Sequence, residues 1–171
     1  AVRELPHGEG RSARRELGQA RRRRGVRPLI RAAVPDERTP LSEIDALPWG
    51  DRLAVLAFRA YVHKANMMPI EEAFSRTAGP EARAGFDAFM ALMDACAHGR
   101  RRPLDAAMTR SGDLTHDERA LVAALVAVGS DGDEAAAARL AWLAGRTPDP
   151  LLVSHLRTAA RALRGGGEPA R

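Results

Sequence analysis

The chain has few of the residues that build covalent or metal-bound frameworks. Its 171 residues include one cysteine, Cys96, so no internal disulfide can form and a cysteine-rich zinc site is excluded. No apolar run approaches the roughly 18–20 residues that a membrane-spanning helix needs, so we expect no transmembrane segment. The N-terminus lacks the short apolar core of a secretory signal. We therefore expect a cytoplasmic protein.

Aromatic residues and lysine are also scarce, and the aromatic residues are confined to one region of the chain. All seven of them lie between Trp49 and Trp142. Residues 1–38 contain no aromatic residue and few aliphatic ones, so they cannot bury enough apolar surface to offset the entropy of ordering. The sequence predicts a disordered Arg-rich tail over residues 1–38, a helical domain over residues 39–164 and a disordered C-terminal tail over residues 165–171.

The excess positive charge is confined to the N-terminal tail. The whole chain has a net charge of +5, but residues 1–38 carry 11 arginines and 5 acidic residues, whereas residues 39–171 carry 16 basic and 17 acidic residues. A basic arm of this kind suits contact with phosphate, and a second basic cluster lies in the segment "GRRRPL". The candidate nucleic-acid-binding residues are Arg14, Arg15, Arg21, Arg22, Arg23, Arg24, Arg27, Arg100, Arg101 and Arg102.

Each basic cluster has a plainer interpretation that stays open. Arginine has GC-rich codons, so part of its abundance is a genome signature. The tail can equally be a segment without function or a protein-docking segment. In the second cluster, Arg100 to Arg102 can form a solvated loop that caps the carbonyl groups at the end of the preceding helix.

Apolar residues between residues 40 and 164 recur at helical spacing, and no stretch alternates as a strand does. The pattern predicts an all-α fold, a compact bundle of about six or seven short helices whose neighbours pack antiparallel because the loops are short. The helix that begins near residue 50 is apolar over more than half of its surface, and we expect it to be central. Short helices are also predicted at residues 40–47 and after Pro103.

Acidic residues at two predicted helix starts are explained by capping. Thr115 and Glu118 have the T-x-x-E spacing, in which each side chain bonds the backbone N–H of the other residue. Asp131 and Glu134 repeat that spacing in the segment "SDGDE". A calcium loop would need acids at alternating positions and a distant Glu, so we favour a helix start there.

No arrangement of residues points to catalysis or to a metal. The five histidines form no H-x-x-x-H or E-x-x-H pair on one predicted helix, and the nearest cluster, Cys96 with His98, supplies two of the ligands that zinc needs. No glycine-rich phosphate loop and no G-x-S-x-G turn occurs. We expect no catalytic residue, no metal and no cofactor, and a protein that is not an enzyme.

Two resemblances concern the helical region. The segments "LTHDERALVAAL", "DEAAAARL" and "VSHLRTAARAL", within residues 114–164, look like the C-terminal helix-turn-helix of response-regulator-type transcription factors, which implies DNA binding. They depart from that family where "AWLAGRT" lengthens the turn and where the first turns of the last helix lack arginine.

The second resemblance rests on "DRLAVLAFRAYVHKA", "RRPLDAAM" and "LTHDERALVAAL" in that order. Over residues 50–164 they are similar to a family of small, uncharacterised all-helical alphaproteobacterial proteins. The Cys-rich stretch of that family is replaced here by "TRSGD". This resemblance implies a fold but no activity.

Two functional hypotheses follow. The first is a non-enzymatic helical protein, a protein-interaction or regulatory module that acts by helix-face contact with a protein partner or with a second copy of itself. The alternative is a nucleic-acid-binding transcriptional regulator that uses the Arg-rich arm together with residues 114–164. Neither hypothesis involves a membrane.

Overall fold

The structure is a computed structural model that describes residues 42–98 and 100–165. These residues contain no β-strand, which confirms the prediction of an all-α fold. None of their helices is long and apolar enough to cross a lipid bilayer. The tail predicted over residues 1–38 lies outside the described residues, as does the C-terminal tail beyond residue 165. The helices are α1 (Trp49–Val62), α2 (Met68–Ala78), α3 (Ala82–Ala97), α4 (His116–Ser130), α5 (Asp133–Ala144) and α6 (Pro150–Arg164), with a 3-10 turn at Gly79–Glu81.

The predicted count of about six or seven helices included two short ones, at residues 40–47 and after Pro103, that do not form in the residues the structure describes. The segment before α1 makes a single turn, in which the Asp45 N–H donates to the Ser42 carbonyl at 3.0 Å. The chain after Pro103 is irregular, because the N–H groups of Asp105 and Ala107 donate to carboxylates of α4 at 2.8 and 3.0 Å. A helix in that segment would need those donors for its own ladder.

The predicted capping box at the start of α5 is wrong. The helix begins at Asp133, its N-cap is Gly132, and no side chain caps it. Asp131 lies one residue too early because it caps the end of α4, where its N–H donates to the Ala127 carbonyl at 2.9 Å. The connection from α4 to α5 is therefore too short for Asp131 to serve both helices.

The most central helix is α6, which packs against each of the other five and most extensively against α3. The sequence predicted that central position for α1, which is well buried but packs mainly against α2, α4 and α6. Small residues allow the close contact of α3 with α6, since Gly85 of α3 lies directly against Ala162. Phe74 of α2 completes this core, with its ring centre 5.6 Å from that of Phe86 and 5.9 Å from that of Phe89.

The sequence predicted that consecutive helices pack antiparallel, because the loops between them were expected to be short. The connection from α3 to α4 is long, spanning residues 98–115, and α3 packs chiefly against α6 and α2 rather than α4. By contrast, α4 and α5 follow each other closely and pack extensively against each other. The long connection, called the α3–α4 connection below, holds the backbone groups that bind the buried charges.

Candidate functional site

A charged pair lies in the middle of the apolar core and joins α1 to the first turn of α4. The Arg59 guanidinium donates to both carboxylate oxygens of Glu118, with Nε–Oε1 at 2.8 Å and Nη2–Oε2 at 3.1 Å. Both side chains are fully buried. Two parallel hydrogen bonds between opposite charges are the strongest geometry available to an arginine and a carboxylate.

The remaining donors of Arg59 hold the α3–α4 connection. Nη1 donates to the carbonyl oxygens of Met108 at 3.2 Å and Ser111 at 2.7 Å, and Nη2 donates to that of Asp113 at 2.7 Å. Every guanidinium nitrogen therefore has an acceptor, which offsets the cost of burying the charge.

Glu118 bonds the same connection from the other side. Its Oε1 accepts the N–H of Ala107 at 3.0 Å, and its Oε2 accepts the N–H of Thr115 at 2.9 Å. The Thr115 hydroxyl accepts the N–H of Glu118 at 3.2 Å. The capping box predicted from the T-x-x-E spacing is thus confirmed, and its glutamate also has a long-range partner that the spacing did not indicate.

Asp117, the residue before Glu118, accepts a second set of hydrogen bonds. It accepts from Arg100 Nη1 at 3.0 Å, from Arg102 Nη2 at 2.7 Å and from the backbone N–H of Asp105 at 2.8 Å. Burial alone would raise the pKa of Asp117, but the bonds from Asp105, Arg100 and Arg102 together lower it below its ordinary value. The carboxylate therefore stays ionised inside the protein.

This buried network fixes the fold rather than presenting a free group to a substrate. Arg59, Asp117 and Glu118 each bond several partners within the chain, which is what buried charges require. Sequence reasoning missed Arg59. The available signal was a single arginine inside the apolar segment "LAVLAFRAYV", because such a residue needs a buried acidic partner.

The three loop arginines predicted to bind nucleic acid have different surroundings. Arg100 and Arg102 bond Asp117 rather than the carbonyl groups at the end of the preceding helix, while Arg101 is exposed. One buried acid thus neutralises part of the charge of this cluster. The seven tail arginines, Arg14 to Arg27, lie outside the described residues, and nucleic-acid binding by either cluster stays a prediction.

An exposed aromatic ring lies beside the same loop. The Arg102 guanidinium carbon is 5.3 Å from the centre of the Trp142 ring, within the range of a cation–π contact. About half of Trp142 remains exposed, at 49%. The loop therefore combines arginines with an accessible aromatic face.

The outer face of α4 lines an open groove with a volume of about 490 Å³. The opposite face of this helix buries Leu121, Ala124 and Leu125 in the core. On the groove side Val126 keeps 44% of its surface exposed. We call this surface the α4 groove. Its apolar residues are Ala46, Leu47, Leu114, Val122, Ala123 and Val126.

Four charged residues of the described part of the chain edge the α4 groove, two of each sign. Arg119 Nη2 donates to both carboxylate oxygens of Glu43 at 2.8 and 2.7 Å, and this bond lowers the pKa of Glu43. Asp131 and Arg139 are exposed, and neither has an ion pair within the described part of the chain. The groove thus offers one unpaired acid and one unpaired base beside apolar side chains.

The residues that the structure describes contain no group of three or more His, Cys, Asp or Glu side chains that could hold a metal ion. Cys96 is fully buried, and burial raises the pKa of its thiol to about 12. His98 is exposed, and its Nδ1 lies 2.8 Å from the Asp94 carbonyl oxygen. The cysteine and the histidine of this sequence cluster therefore lie in different environments.

The last helix of the region that resembles a helix-turn-helix is α6. It packs mainly against α3, which lies outside that region. Arg157 pairs with Asp133 of α5, and Arg164 donates to the Leu125 carbonyl of α4, whereas Arg161 is exposed. Two of the three arginines of this helix are thus engaged within the chain.

No protein-family model matches the chain, and neither a curated protein nor a solved structure is significantly similar to it. The two family resemblances drawn from the sequence stay predictions.

Proposed function

We propose that this chain is a non-enzymatic helical protein that acts as an interaction module and pairs with a second copy of itself through the α4 groove. The observation that carries the proposal is that α4 has apolar residues on two faces, one in the core and one in the open groove. Leu121 and Leu125 face the core, whereas Val122 and Val126 line the open groove. Apolar side chains grouped at an exposed site are typical of an interaction surface.

The charges at the edge of the groove favour a second copy as the partner. In a two-fold dimer the same surface meets itself, so each contact between two residues occurs twice. Asp131 can then face Arg139 of the partner subunit, and Arg139 can face Asp131 of the partner subunit. A partner whose surface carries charges of one sign would be repelled by one of these two residues.

The spacing of groove residues along α4 suits the approach of another helix. Arg119, Ala123 and Val126 are separated by four and three residues, so they share one face of the helix. Ala123 is small, which allows a facing backbone to come close between the larger side chains. The helix has 15 residues and is therefore about 22 Å long, enough for several turns of contact.

The non-enzymatic part of the proposal is supported by how the chain uses its buried charges. Arg59, Asp117 and Glu118 each bond backbone groups of the α3–α4 connection, and Arg59 and Glu118 also bond each other. Groups committed in this way hold structure in place, whereas a general acid or base needs a site open to its substrate.

Sedimentation equilibrium of the full chain tests the dimer. We expect the wild type to be dimeric and Val126→Arg to be monomeric, because the substitution places a charge in the apolar groove. Leu151→Arg is the matched control, since Leu151 is 65% exposed and lies outside the groove. A wild type that stays monomeric at the highest attainable concentration would contradict the proposal.

Charge exchange tests which residues meet across the interface. Asp131→Arg and Arg139→Asp should each weaken the dimer, because each brings like charges together. The double exchange should restore it, because opposite charges meet again in both copies. A double variant no tighter than either single one would show that these two residues do not face each other.

Nucleic-acid binding is a second candidate, favoured by the exposed Trp142 beside Arg102. An accessible aromatic ring can stack a base while arginines contact phosphate. If about six phosphates were neutralised by the tail and the loop, the logarithm of the binding constant should fall with the logarithm of salt concentration at a slope near −5 on duplex DNA and about −4 on a single strand. Trp142→Ala should then weaken single-strand binding, and deletion of residues 1–38 should flatten the salt slope.

A further inference from the structure

Lys64 has a backbone conformation that residues with a side chain rarely adopt. Its φ angle is 53°, and the other positive-φ residues of the described chain are Gly79, Gly132 and Gly145. Lys64 lies just after the end of α1, where glycine is usual because it has no Cβ to clash. A side chain held in this conformation is a reason to ask what that side chain does.

The backbone bonds at this position do not explain why a lysine occupies it. The Lys64 N–H donates to the Tyr61 carbonyl at 3.1 Å, and the Ala65 N–H donates to the Ala60 carbonyl at 2.8 Å. Both bonds close the end of α1, and both would form with glycine at residue 64. The backbone bonds therefore give no reason for a lysine rather than a glycine at this position.

Lys64 lines an open pocket at the C-terminal ends of α1 and α3, with a volume of about 410 Å³. That volume falls within the range of about 300–1,000 Å³ for small-molecule sites. We call it the Lys64 pocket. Its other lining residues, which are mainly apolar, are Tyr61, Val62, Ala97, Pro103 and Leu104.

Within residues 42–98 and 100–165, Lys64 is the one basic residue that lines this pocket, and it is the only lysine in the sequence. Among the described residues, no carboxylate lies within ion-pair distance of its ammonium group. Asp94 accepts the hydrogen bond of the Tyr61 hydroxyl at 2.7 Å and keeps its negative charge, but it forms no ion pair with Lys64. The pocket thus combines apolar walls with a single unpaired cation.

We propose that the Lys64 pocket binds an anionic amphiphile, a molecule with an apolar body and one carboxylate or sulfonate group. The apolar walls would cover the body, and the Lys64 ammonium would pair with the anionic group. A polyphosphate does not suit the site, because one lysine cannot balance several negative charges. The pocket shares no lining residue with the α4 groove, so the inference is independent of the proposed dimer.

Fluorescence titration of the full chain with anilinonaphthalenesulfonate tests the proposal, since this probe has fused aromatic rings and one sulfonate. Lys64→Met should weaken binding about tenfold, because a charge-assisted bond is lost. Lys64→Arg keeps the charge and should bind within about threefold of the wild type. Arg110→Met removes an exposed arginine that does not line the pocket, and it should bind as the wild type does.

Lys64→Gly separates a ligand-binding role from a purely structural one. The substitution removes the strained Cβ, so the thermal unfolding midpoint should rise. It also removes the ammonium group, so the probe should bind about as weakly as it does to Lys64→Met. A higher midpoint with undiminished probe affinity would overturn the proposal.

Two further variants locate the bound probe. Ala97→Trp fills the pocket from its exposed edge and should abolish binding, whereas Val126→Arg alters the α4 groove and should leave binding unchanged. Decanoate should displace the probe, and the uncharged decanol should do so much less well. Absence of probe binding to the wild type, or loss of binding only in Val126→Arg, would overturn the proposal.

Discussion

Arg59 of α1 and Glu118 of α4 form a two-point ion pair, at 2.8 and 3.1 Å, in which neither side chain reaches solvent. Burying two charges is unfavourable unless all their hydrogen-bonding groups find partners. Here the partners are the backbone groups of the α3–α4 connection, including the carbonyl of Ser111 and the N–H of Ala107. The pair therefore supplies hydrogen-bond partners to backbone groups of the α3–α4 connection, which has no helix or strand in which to pair them.

Breaking the pair should destabilise the protein strongly. Removing one member of a buried pair leaves the other charge uncompensated, which typically costs about 3–5 kcal/mol. We expect Arg59→Met and Glu118→Gln each to lower the free energy of unfolding by that amount in urea titrations. Arg83→Met is the control, because Arg83 pairs with Glu71 and Asp87 at the surface, where the loss should be small. Equal effects of Arg59→Met and Arg83→Met would contradict this account.

Stability should also fall in acid because of Asp117. Its pKa in the folded protein is lowered, so the ionised carboxylate contributes stability that is fully present above the unfolded pKa of about 3.9. That contribution is lost as the pH falls through the lower, folded-state pKa. Urea midpoints measured from neutral pH into acid should show a smaller acid-dependent loss for Asp117→Asn than for the wild type. Parallel curves for the two proteins would show that Asp117 does not contribute to the acid dependence.

The sequence predicted the elements whose signals are local. Apolar periodicity indicates the all-α class, and the T-x-x-E spacing predicts the cap formed by Thr115 and Glu118. The second capping box, predicted for Asp131 and Glu134, is wrong, because the linker between α4 and α5 is too short for Asp131 to be the N-cap of α5. Local pattern shows that a helix starts in this region but not which residue caps it.

The non-local features could not be read from the pattern. The stripe of leucines and alanines on α6 indicates a buried face, but it does not reveal that this helix packs against all the others, because a stripe does not name the helices that cover it. The pairing of Arg59 with Glu118 joins residues 59 positions apart. The α4 groove depends on the turn at Ala46 and Leu47 lying beside α4, which is a tertiary relationship.

Gly85 should be intolerant of even one added methyl group. A Cβ at this position would lie 2.1 Å from the Cβ of Ala162, within the tight contact of α3 with α6. Glycine to alanine usually stabilises a helix, but overpacking here should reverse the sign and cost about 1–3 kcal/mol. Urea unfolding of Gly85→Ala measures the effect. Adding Ala162→Gly should recover part of the loss, and Gly165→Ala is a control because its Cβ would meet no atom closer than 3.5 Å.

The titration of Tyr61 should report directly on the Lys64 pocket, because it is the only tyrosine in the chain. Burial, followed by the hydrogen bond to Asp94, raises the pKa of Tyr61 to about 12. Phenolate absorbance should therefore reach its midpoint near pH 12 in the folded protein and near the ordinary value of about 10 in urea. Asp94→Asn removes the neighbouring negative charge and should lower the folded midpoint, with circular dichroism at each pH verifying that the helices persist. A folded midpoint near 10 would show that the Tyr61 hydroxyl is neither partly buried nor bonded to Asp94 in solution.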